Sequence, residues 1–192
     1  MYLQQLQESS PTDLSVVSQL LMACTDFRLL TFGDFAQPSD ARGLFTGFPP
    51  ECPPQDRFVW AIHAQSQFLG LLQVARHYPN PHTAHIGLLL LTPSQRGRHL
   101  GCQAVEHLTQ KLRAWRDVKS IQLGVIAGNA QAIRFWQHCG FQTIASDCAG
   151  AGMAALGNIM ERPIKARPAC RGGRCESSSQ QAHARHLFSV MR

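Results

Sequence analysis

The sequence predicts an α/β (α+β) domain with a mixed central sheet of about seven strands and about four helices. Short apolar or alternating runs recur along the chain and are separated by turn residues, as expected for strands. Residues 84–91 are almost wholly apolar, which indicates a central strand that is buried on both faces. Residues 101–115 carry an apolar stripe at helical spacing, so an amphipathic helix is expected to pack on the sheet.

The first third of the chain is predicted to hold one strand and two helices. Residues 2–6 alternate between apolar and polar types and predict an edge strand. A helix follows, with Thr12 or Asp13 as its N-cap. Its apolar positions recur at helical spacing: Leu14, Val17, Leu20, Leu21 and Cys24. Residues 27–56 are rich in glycine and proline and are expected to be irregular, apart from a short helix after Ser39.

Strands and helices alternate along the rest of the chain. Asn129 suits the N-cap of a helix, and Gly140 suits the left-handed residue that ends it. The predicted elements are, in order, strands over 57–64, 68–77 and 84–91, a helix over 101–115, a strand over 119–127, the helix after Asn129, and strands over 141–146 and 156–162.

The net charge of +6 is unevenly distributed, which weakens any link to nucleic acid. Residues 165–192 hold six basic side chains and one acidic side chain, so the first 164 residues carry only +1. We expect a folded domain over 1–166 and a basic, disordered tail over 167–192, because the tail lacks apolar periodicity. Nucleic-acid binding by the tail is a weaker alternative that only its charge supports.

The seven cysteines are odd in number and scattered, which favours free thiols and a cytoplasmic protein. Cys170 and Cys175, with His183 and His186, miss the usual spacings of zinc ligands, so no metal site is predicted. The N-terminal segment lacks the apolar core of a secretory signal, and the longest apolar run is too short to span a bilayer. No membrane partner is therefore expected.

The stretch 88–101, LLLLTPSQRGRHLG, has the order of a phosphate-binding site. A strand runs into a Thr-Pro stop, a basic glycine turn follows, and a helix begins at once. Backbone N–H groups at a helix start are unpaired and carry partial positive charge, to which Arg96 and Arg98 add full charges. The positions of Gly97 and Gly101 fit neither a P-loop nor a dinucleotide fingerprint.

Two motifs in this region resemble the GNAT acetyltransferase superfamily. The superfamily's acetyl-CoA loop reads Gln or Arg, two residues, Gly, one residue, then Gly or Ala. Arg96 and Gly101 fill its first and last positions, and His99 stands where the middle Gly is usual. Residues 129–141, NAQAIRFWQHCGF, resemble the superfamily's later motif. Its matching positions are Asn129, Ala132, Phe135, Trp136, Gly140 and Phe141. The resemblance covers roughly residues 1–164 and is specific only over about 84–142.

The resemblance implies the GNAT fold, in which the fourth and fifth strands splay apart and the pantetheine arm of acetyl-CoA enters the gap. The arm would pair with the free backbone edge of the fourth strand, and the pyrophosphate would lie on N–H groups at the start of the following helix. The implied cofactor-binding residues are Leu90, Leu91, Thr92, Arg96, Gly97, Arg98, His99, Leu100, Gly101, Cys102, Asn129, Phe135 and Trp136.

The activity that the resemblance implies is direct acetyl transfer to a primary amine of a small molecule or peptide. His85 falls where several members carry a glutamate base, and a pKa near neutrality would suit that role; alternatively it is a histidine that lines the sheet beside the gap. A backbone N–H near Leu91 would stabilise the oxyanion. Trp136 replaces the usual tyrosine acid and cannot donate a proton near neutral pH, so we expect it to wall the cofactor arm. Cys139 is expected to be a core thiol rather than an acyl carrier.

The acceptor site is expected among residues 27–56 and near the turn at His77 and Tyr78. Its carboxylates could attract a cationic amine, or they could be solvated loop acids: Asp34, Asp40, Glu51 and Asp56. Its aromatic residues could line a pocket or pin the loop to the sheet: Phe32, Phe35, Phe45 and Phe48. The alternative function is a non-catalytic acyl-CoA-binding module. A homodimer is possible, because this fold often pairs through its terminal strands.

Overall fold

The computed structural model of the chain describes residues 1–148 and 156–164, which fold around one sheet. The elements are β1 (Tyr2–Gln5), α1 (Pro11–Ala23), α2 (Thr25–Phe32), α3 (Asp40–Thr46), β2 (Arg57–Ala64), β3 (Gln67–Arg76), β4 (Thr83–Leu91), α4 (Leu100–Leu112), β5 (Ser120–Ile126), α5 (Ala130–His138), β6 (Gln142–Cys148) and β7 (Gly157–Pro163). The strands lie in the order β1-β2-β3-β4-β5-β7-β6. The seven predicted strands are confirmed, and the described residues form five α-helices instead of about four.

Two predictions for the N-terminal helices were wrong. The N-cap of α1 is Ser10, whose hydroxyl accepts the Asp13 N–H at 3.2 Å, and Pro11 takes the first helical position, where its missing N–H costs nothing. Residues 27–56 are also not wholly irregular before Ser39, because α2 extends to Phe32. The glycines and prolines of this segment begin only at Gly33, which ends α2 in the left-handed conformation with φ 76°.

The two faces of the sheet carry separate apolar cores. The α2 face, as we call it, holds α1, α2 and α3 packed on side chains that include Leu88 and Leu90 of β4. The opposite α4 face holds α4 and α5 packed on side chains that include Leu89 and Leu91. The alternation of these four leucines confirms that β4 is a central strand with both faces covered.

The parallel pairing between β4 and β5 stops halfway along β4. It runs from Thr83 opposite Ser120 to Ile86 opposite Leu123, and no pairing of residues 87–91 with β5 occurs within the described chain. β5 nevertheless continues to pair with β7 as far as Ile126. The predicted splaying of the fourth and fifth strands is therefore confirmed.

The outer half of β4 stays in the sheet through its pairing with β3. Gly70 of β3 lies opposite Leu91. A Cβ added at Gly70 would overlap the carbonyl oxygen of Leu90 and lie 2.8 Å from Leu91 Cα. Only glycine fits there, because both obstacles are backbone atoms that belong to the same ladder.

Some sequence predictions fall on residues outside the described ranges. These are the basic tail over 167–192, the small-residue connection over 149–155, and the four possible zinc ligands of the tail.

Within the described ranges, no single helix is both long and apolar enough to cross a membrane. Taken together, α1 and α2 have the length and apolar composition of a membrane span, but they bend by 76° at their junction.

We predict that Gly70→Ala lowers the free energy of unfolding by roughly 2 kcal/mol or more, because the new methyl group displaces the end of β4. Urea denaturation followed by circular dichroism would measure the change. Gly128→Ala is the matched control, since a Cβ there meets nothing within 4 Å, and it should change stability by less than about 0.5 kcal/mol. Equal effects of the two substitutions would contradict this account of Gly70.

Candidate active site

The gap between β4 and β5 forms a cavity of about 670 Å³. Its walls include β4 residues 85–91 and β5 residues 123–126. The start of α4 and one side of α5 line it on one face of the sheet, and α2 lines it on the other. The cavity therefore runs through the sheet, so that two molecules entering from opposite faces can meet between the strands.

The first turn of α4 faces this cavity with free backbone donors. Gln103 is the first residue of the helix to donate to a helical carbonyl, that of His99, at 3.3 Å. The N–H groups of Leu100, Gly101 and Cys102 consequently have no helical acceptor, and no side chain of the described residues caps this end. Together with the partial positive charge of the helix end, these donors form a site for an anion.

His99 occupies the N-cap position in the left-handed conformation, with φ 57°. Glycine adopts this conformation without strain, which explains why the related loop pattern has glycine here. Histidine is one of the side-chain types that tolerate it better than most. Gly97, two residues earlier, also has positive φ, 72°, so the turn is shaped by two left-handed residues.

α5 closes one side of the cavity with aromatic rings. A Cβ added at Gly101 would lie 2.9 Å from Cε2 of Phe135, so the ring packs directly on the α4 backbone. Trp136 is 8% exposed, lines the cavity and packs edge-on against Phe135 and Phe141. Asn129 caps α5 by accepting the Ala132 N–H at 3.0 Å, as the sequence predicted.

Three of the expected cofactor-binding residues have other partners. Arg96 forms an ion pair with Asp26 of α2, and its Nε donates to the Leu91 carbonyl at 3.2 Å. Arg98 donates to the side chain of Gln95 at 2.8 Å, and it does not line the cavity. The Thr92 N–H donates to the Leu69 carbonyl at 2.9 Å, which removes it from the strand edge. Both arginines of the glycine turn are therefore engaged with other protein groups in the structure.

The free backbone edge of β4 follows from that Thr92 bond. In an antiparallel ladder, successive residues point alternately toward and away from the neighbouring strand. Because Thr92 bonds to β3, Leu90 also faces β3, while Leu89 and Leu91 face the gap. The Leu91 carbonyl accepts from Arg96 and from Cys24 Sγ at 3.5 Å. The Leu91 N–H remains directed at the gap, whereas the backbone groups of Leu90 face β3.

Arg134 is a cavity residue that the sequence reasoning missed. It lies on one face of α5 with Gln131, Phe135 and His138, and all four line the cavity. Arg134 makes no ion pair with any residue of the described ranges. The spacing of three, four and seven residues from Gln131 could have revealed this face, since those positions align on a helix.

His85 lines the cavity on the α2 face, where its ring stands perpendicular to that of Tyr78 at 5.6 Å. The side chain is 5% exposed, and its Nδ1 has no hydrogen-bond partner among the described residues. Burial lowers the pKa of His85 to about 4, so the expected value near neutrality was wrong. The imidazole is neutral at pH 7 and offers a free nitrogen lone pair.

The carboxylates expected near the acceptor are paired or remote. Arg28 binds Asp34 at 2.8 Å and Asp40 at 3.4 Å. Asp56 lies 3.0 Å from His77 in a cluster away from the cavity. Glu51 is exposed, and none of these four acids lines the cavity. They therefore act in the structure as ion-pair partners or as surface groups.

The aromatic residues of this segment divide between two roles. Phe45 and Phe48 belong to the core on the α2 face, which fits the expected pinning of the loop. Phe32 packs against that core and also lines the cavity. Phe35 is 62% exposed and does neither.

Cys139 does not resemble an acyl-accepting nucleophile. It is buried at the end of α5, with its Sγ 2.8 Å from that of Cys102. Burial and the neighbouring Cys102 raise its pKa, so the thiol stays protonated at neutral pH. Across the described residues, no group of three or more possible ligands could hold a metal ion.

Residues 23–141 match the model of the Acetyltransferase (GNAT) family. No curated protein matches the chain.

Several solved structures share the fold at low sequence identity. An acetyltransferase from Thermus thermophilus is 22% identical, with a TM-score of 0.68 over 85% of this chain and 97% of its own. The spermidine N-acetyltransferase of Vibrio cholerae, solved with CoA and spermine, is 14% identical, with a TM-score of 0.64 over 84% of this chain and 94% of its own. The ribosomal-protein-S18-alanine N-acetyltransferase of Escherichia coli is 16% identical, with a TM-score of 0.60 over 88% of this chain and 98% of its own.

We predict that His85 makes the fold sensitive to acid. Its pKa is about 4 in the folded protein and near 6.5 in the unfolded chain, so the unfolded chain binds the proton more readily between these values. Stability should fall by about 3 kcal/mol as the pH drops from 6.5 to 4, and this contribution should level off below 4.

Urea denaturation at several pH values between 7 and 4 would give the free energy of unfolding of the wild type and of His85→Gln. The larger decrease in the wild type as the pH falls would measure the contribution of His85. His63→Gln is the control, because His63 lies on β2, next to the edge strand β1, where its ring stacks on Tyr2. Parallel pH curves for the wild type and His85→Gln would show that burial does not suppress protonation of His85.

Proposed function

Because the chain belongs to the GNAT acetyltransferase family, we propose that it transfers an acetyl group from acetyl-CoA directly to a primary amine of a small molecule or peptide. The observation that carries the proposal is the cavity through the sheet, with an anion site on the α4 face and a buried neutral imidazole on the α2 face. The two substrates would enter from opposite faces.

The chain offers matching groups along the length of acetyl-CoA, which supplies the activated acetyl group when bound. The free N–H groups of residues 100–102 would hold the pyrophosphate, and Arg134 would add a full positive charge beside it. The outward backbone groups of Leu89 and Leu91 would pair with the amides of the pantetheine arm. Phe135 and Trp136 would cover the arm and exclude water.

The chemistry required of the chain is positioning, polarisation and removal of one proton. A backbone N–H of β4 that faces the gap within reach of His85 would donate to the acyl oxygen, where negative charge develops. His85 would accept a hydrogen bond from the neutral amine and take its proton as the new C–N bond forms. The C–S bond of the thioester would then break, and CoA would leave as a thiolate that takes up a proton from His85 or from water. With a pKa of about 4, His85 cannot draw the proton from a free ammonium ion, so the amine must enter uncharged.

The second candidate is a non-catalytic acyl-CoA-binding module, which Trp136 favours. An indole N–H cannot protonate a leaving thiolate near neutral pH. In such a module the cavity would still bind the cosubstrate, but no amine would be acetylated.

The wider organisation of the protein is also part of the proposal. We place the catalytic domain over 1–166 and regard 167–192 as a basic tail, with no nucleic-acid or membrane partner. A cytoplasmic location is supported by the five free cysteines of the described residues: Cys24, Cys52, Cys102, Cys139 and Cys148. A homodimer through the terminal strands remains a prediction.

We predict that acetyl-CoA raises the melting temperature and that thiol is released when a primary amine is added. Thermal denaturation and a thiol-reactive dye would provide the two readouts. Stabilisation without thiol release across a broad amine panel would support the binding module instead. No stabilisation and no binding by calorimetry would refute both candidates.

We predict that Arg134→Gln weakens acetyl-CoA binding about 5- to 10-fold, the loss expected for one charge-assisted contact. Calorimetry at low and high salt would measure it, and high salt should shrink the difference between wild type and variant. Arg42→Gln is the control, because Arg42 is an exposed arginine near Glu8, remote from the cavity. Equal affinities for wild type and Arg134→Gln would remove Arg134 from the phosphate site.

We predict that His85→Gln lowers kcat about 100-fold while the Kd for acetyl-CoA changes less than about twofold. In the wild type, kcat/KM should rise with pH up to the pKa of the amine, without an inflection near 6.5. An inflection near 6.5 that disappears in the variant would show that His85 titrates near neutrality. An unchanged kcat in His85→Gln would exclude it from the reaction.

A further inference from the structure

We infer that the acceptor is a primary amine with an uncharged, apolar body, and that a second positive charge on the acceptor is selected against. This inference rests on the proposed acetyl transfer, and it names the class of amine that the cavity takes. It follows from the side chains and ion pairs that surround the cavity on the α2 face.

Apart from His85 and the Asp26–Arg96 ion pair, the side chains at the acceptor end of the cavity are mostly hydrocarbon. Side chains from α2 and β4 line it on the α2 face: Phe27, Leu30, Thr31, Phe32, Leu88 and Leu90. The Thr31 hydroxyl is the one polar group among them. An amine reaching His85 from this side would therefore place its body against aromatic and aliphatic surface.

Among the described residues that line the cavity, no carboxylate is free of an ion pair and so available to bind a second ammonium group. Asp26 is the one carboxylate that lines the cavity within the described ranges, and Arg96 already binds it. Asp34 and Asp40 are both paired with Arg28, and neither carboxylate lines the cavity. A cation that entered this end would lose its water without gaining a counter-ion, which is costly.

The mouth of the cavity exposes an apolar side chain that an apolar acceptor would cover. Leu30 lines the cavity and is 52% exposed, although it lies on a helix packed against the core. Each methylene group buried against such surface strengthens binding about fourfold. Leu29, the preceding residue, is 45% exposed and does not line the cavity, so it provides a matched control position.

The decisive comparison uses hexylamine and 1,6-diaminohexane. The two molecules share a chain length and a reacting group, and they differ by one distal ammonium. We expect kcat/KM for hexylamine to exceed that for the diamine at least tenfold. Calorimetry on the protein saturated with CoA should show that hexylamine also binds more tightly than the diamine. This readout is independent of turnover.

Two variants locate the selectivity on α2. Leu30→Asp places a carboxylate at the mouth and should move the ratio of the two kcat/KM values at least tenfold toward the diamine. Leu29→Asp adds the same charge one residue away and should leave the ratio within about twofold. An equal shift in both variants would mean that net charge, rather than the cavity wall, sets the preference, and it would overturn the inference.

The outcomes separate this inference from the function on which it rests. Equal or faster turnover of the diamine by the wild type would overturn the inference and leave acetyl transfer intact. Binding of CoA without thiol release for either amine or for a broad panel would overturn acetyl transfer itself. Preference for hexylamine in both turnover and binding, reversed only by Leu30→Asp, would establish the acceptor class.

Discussion

The structure depends on one interruption in the hydrogen-bond ladder of its sheet. β4 and β5 pair in parallel up to Ile86 and Leu123 and then separate, while each remains held by its other neighbour. An interior pair of strands that parts this way exposes backbone donors and acceptors that no side chain of the sheet can satisfy. Those groups can pair with water or with a ligand that has amides of its own, and the cavity accordingly combines apolar walls with a polar strand edge.

The two sides of the cavity also differ in charge. Its α4 side holds the free N–H groups of a helix start and the side chain of Arg134, which has no ion-pair partner among the described residues, so this side is positive. Its α2 side holds an ion pair that cancels and a neutral His85, so it carries little charge. A molecule with an anionic end and a neutral arm fits in one orientation only, which places its reactive end beside the second substrate.

Much of this arrangement was readable from the sequence, and the failures have physical reasons. The strand, turn and helix around Gly97 and the cap at Asn129 are local patterns, and both formed as predicted. The pairing of Arg96 with Asp26 joins residues 70 positions apart, and the pKa of His85 depends on burial from several elements. The sequence reasoning did not predict α2 because two of its four apolar side chains, Leu29 and Leu30, are exposed, so the helix has no continuous apolar stripe.

The ion pair between Arg96 and Asp26 connects the turn before α4 to α2, so it links the two sides of the cavity. In the proposed reaction, a guanidinium that neutralises the acceptor-side carboxylate would not also bind the phosphates, so the inferred acceptor preference would come at the expense of cosubstrate affinity. Loss of either side chain would release the other and alter both properties at once. A single mutational step at this pair could therefore redirect the enzyme toward polycationic amines, which gives such a fold an accessible evolutionary route between substrate classes.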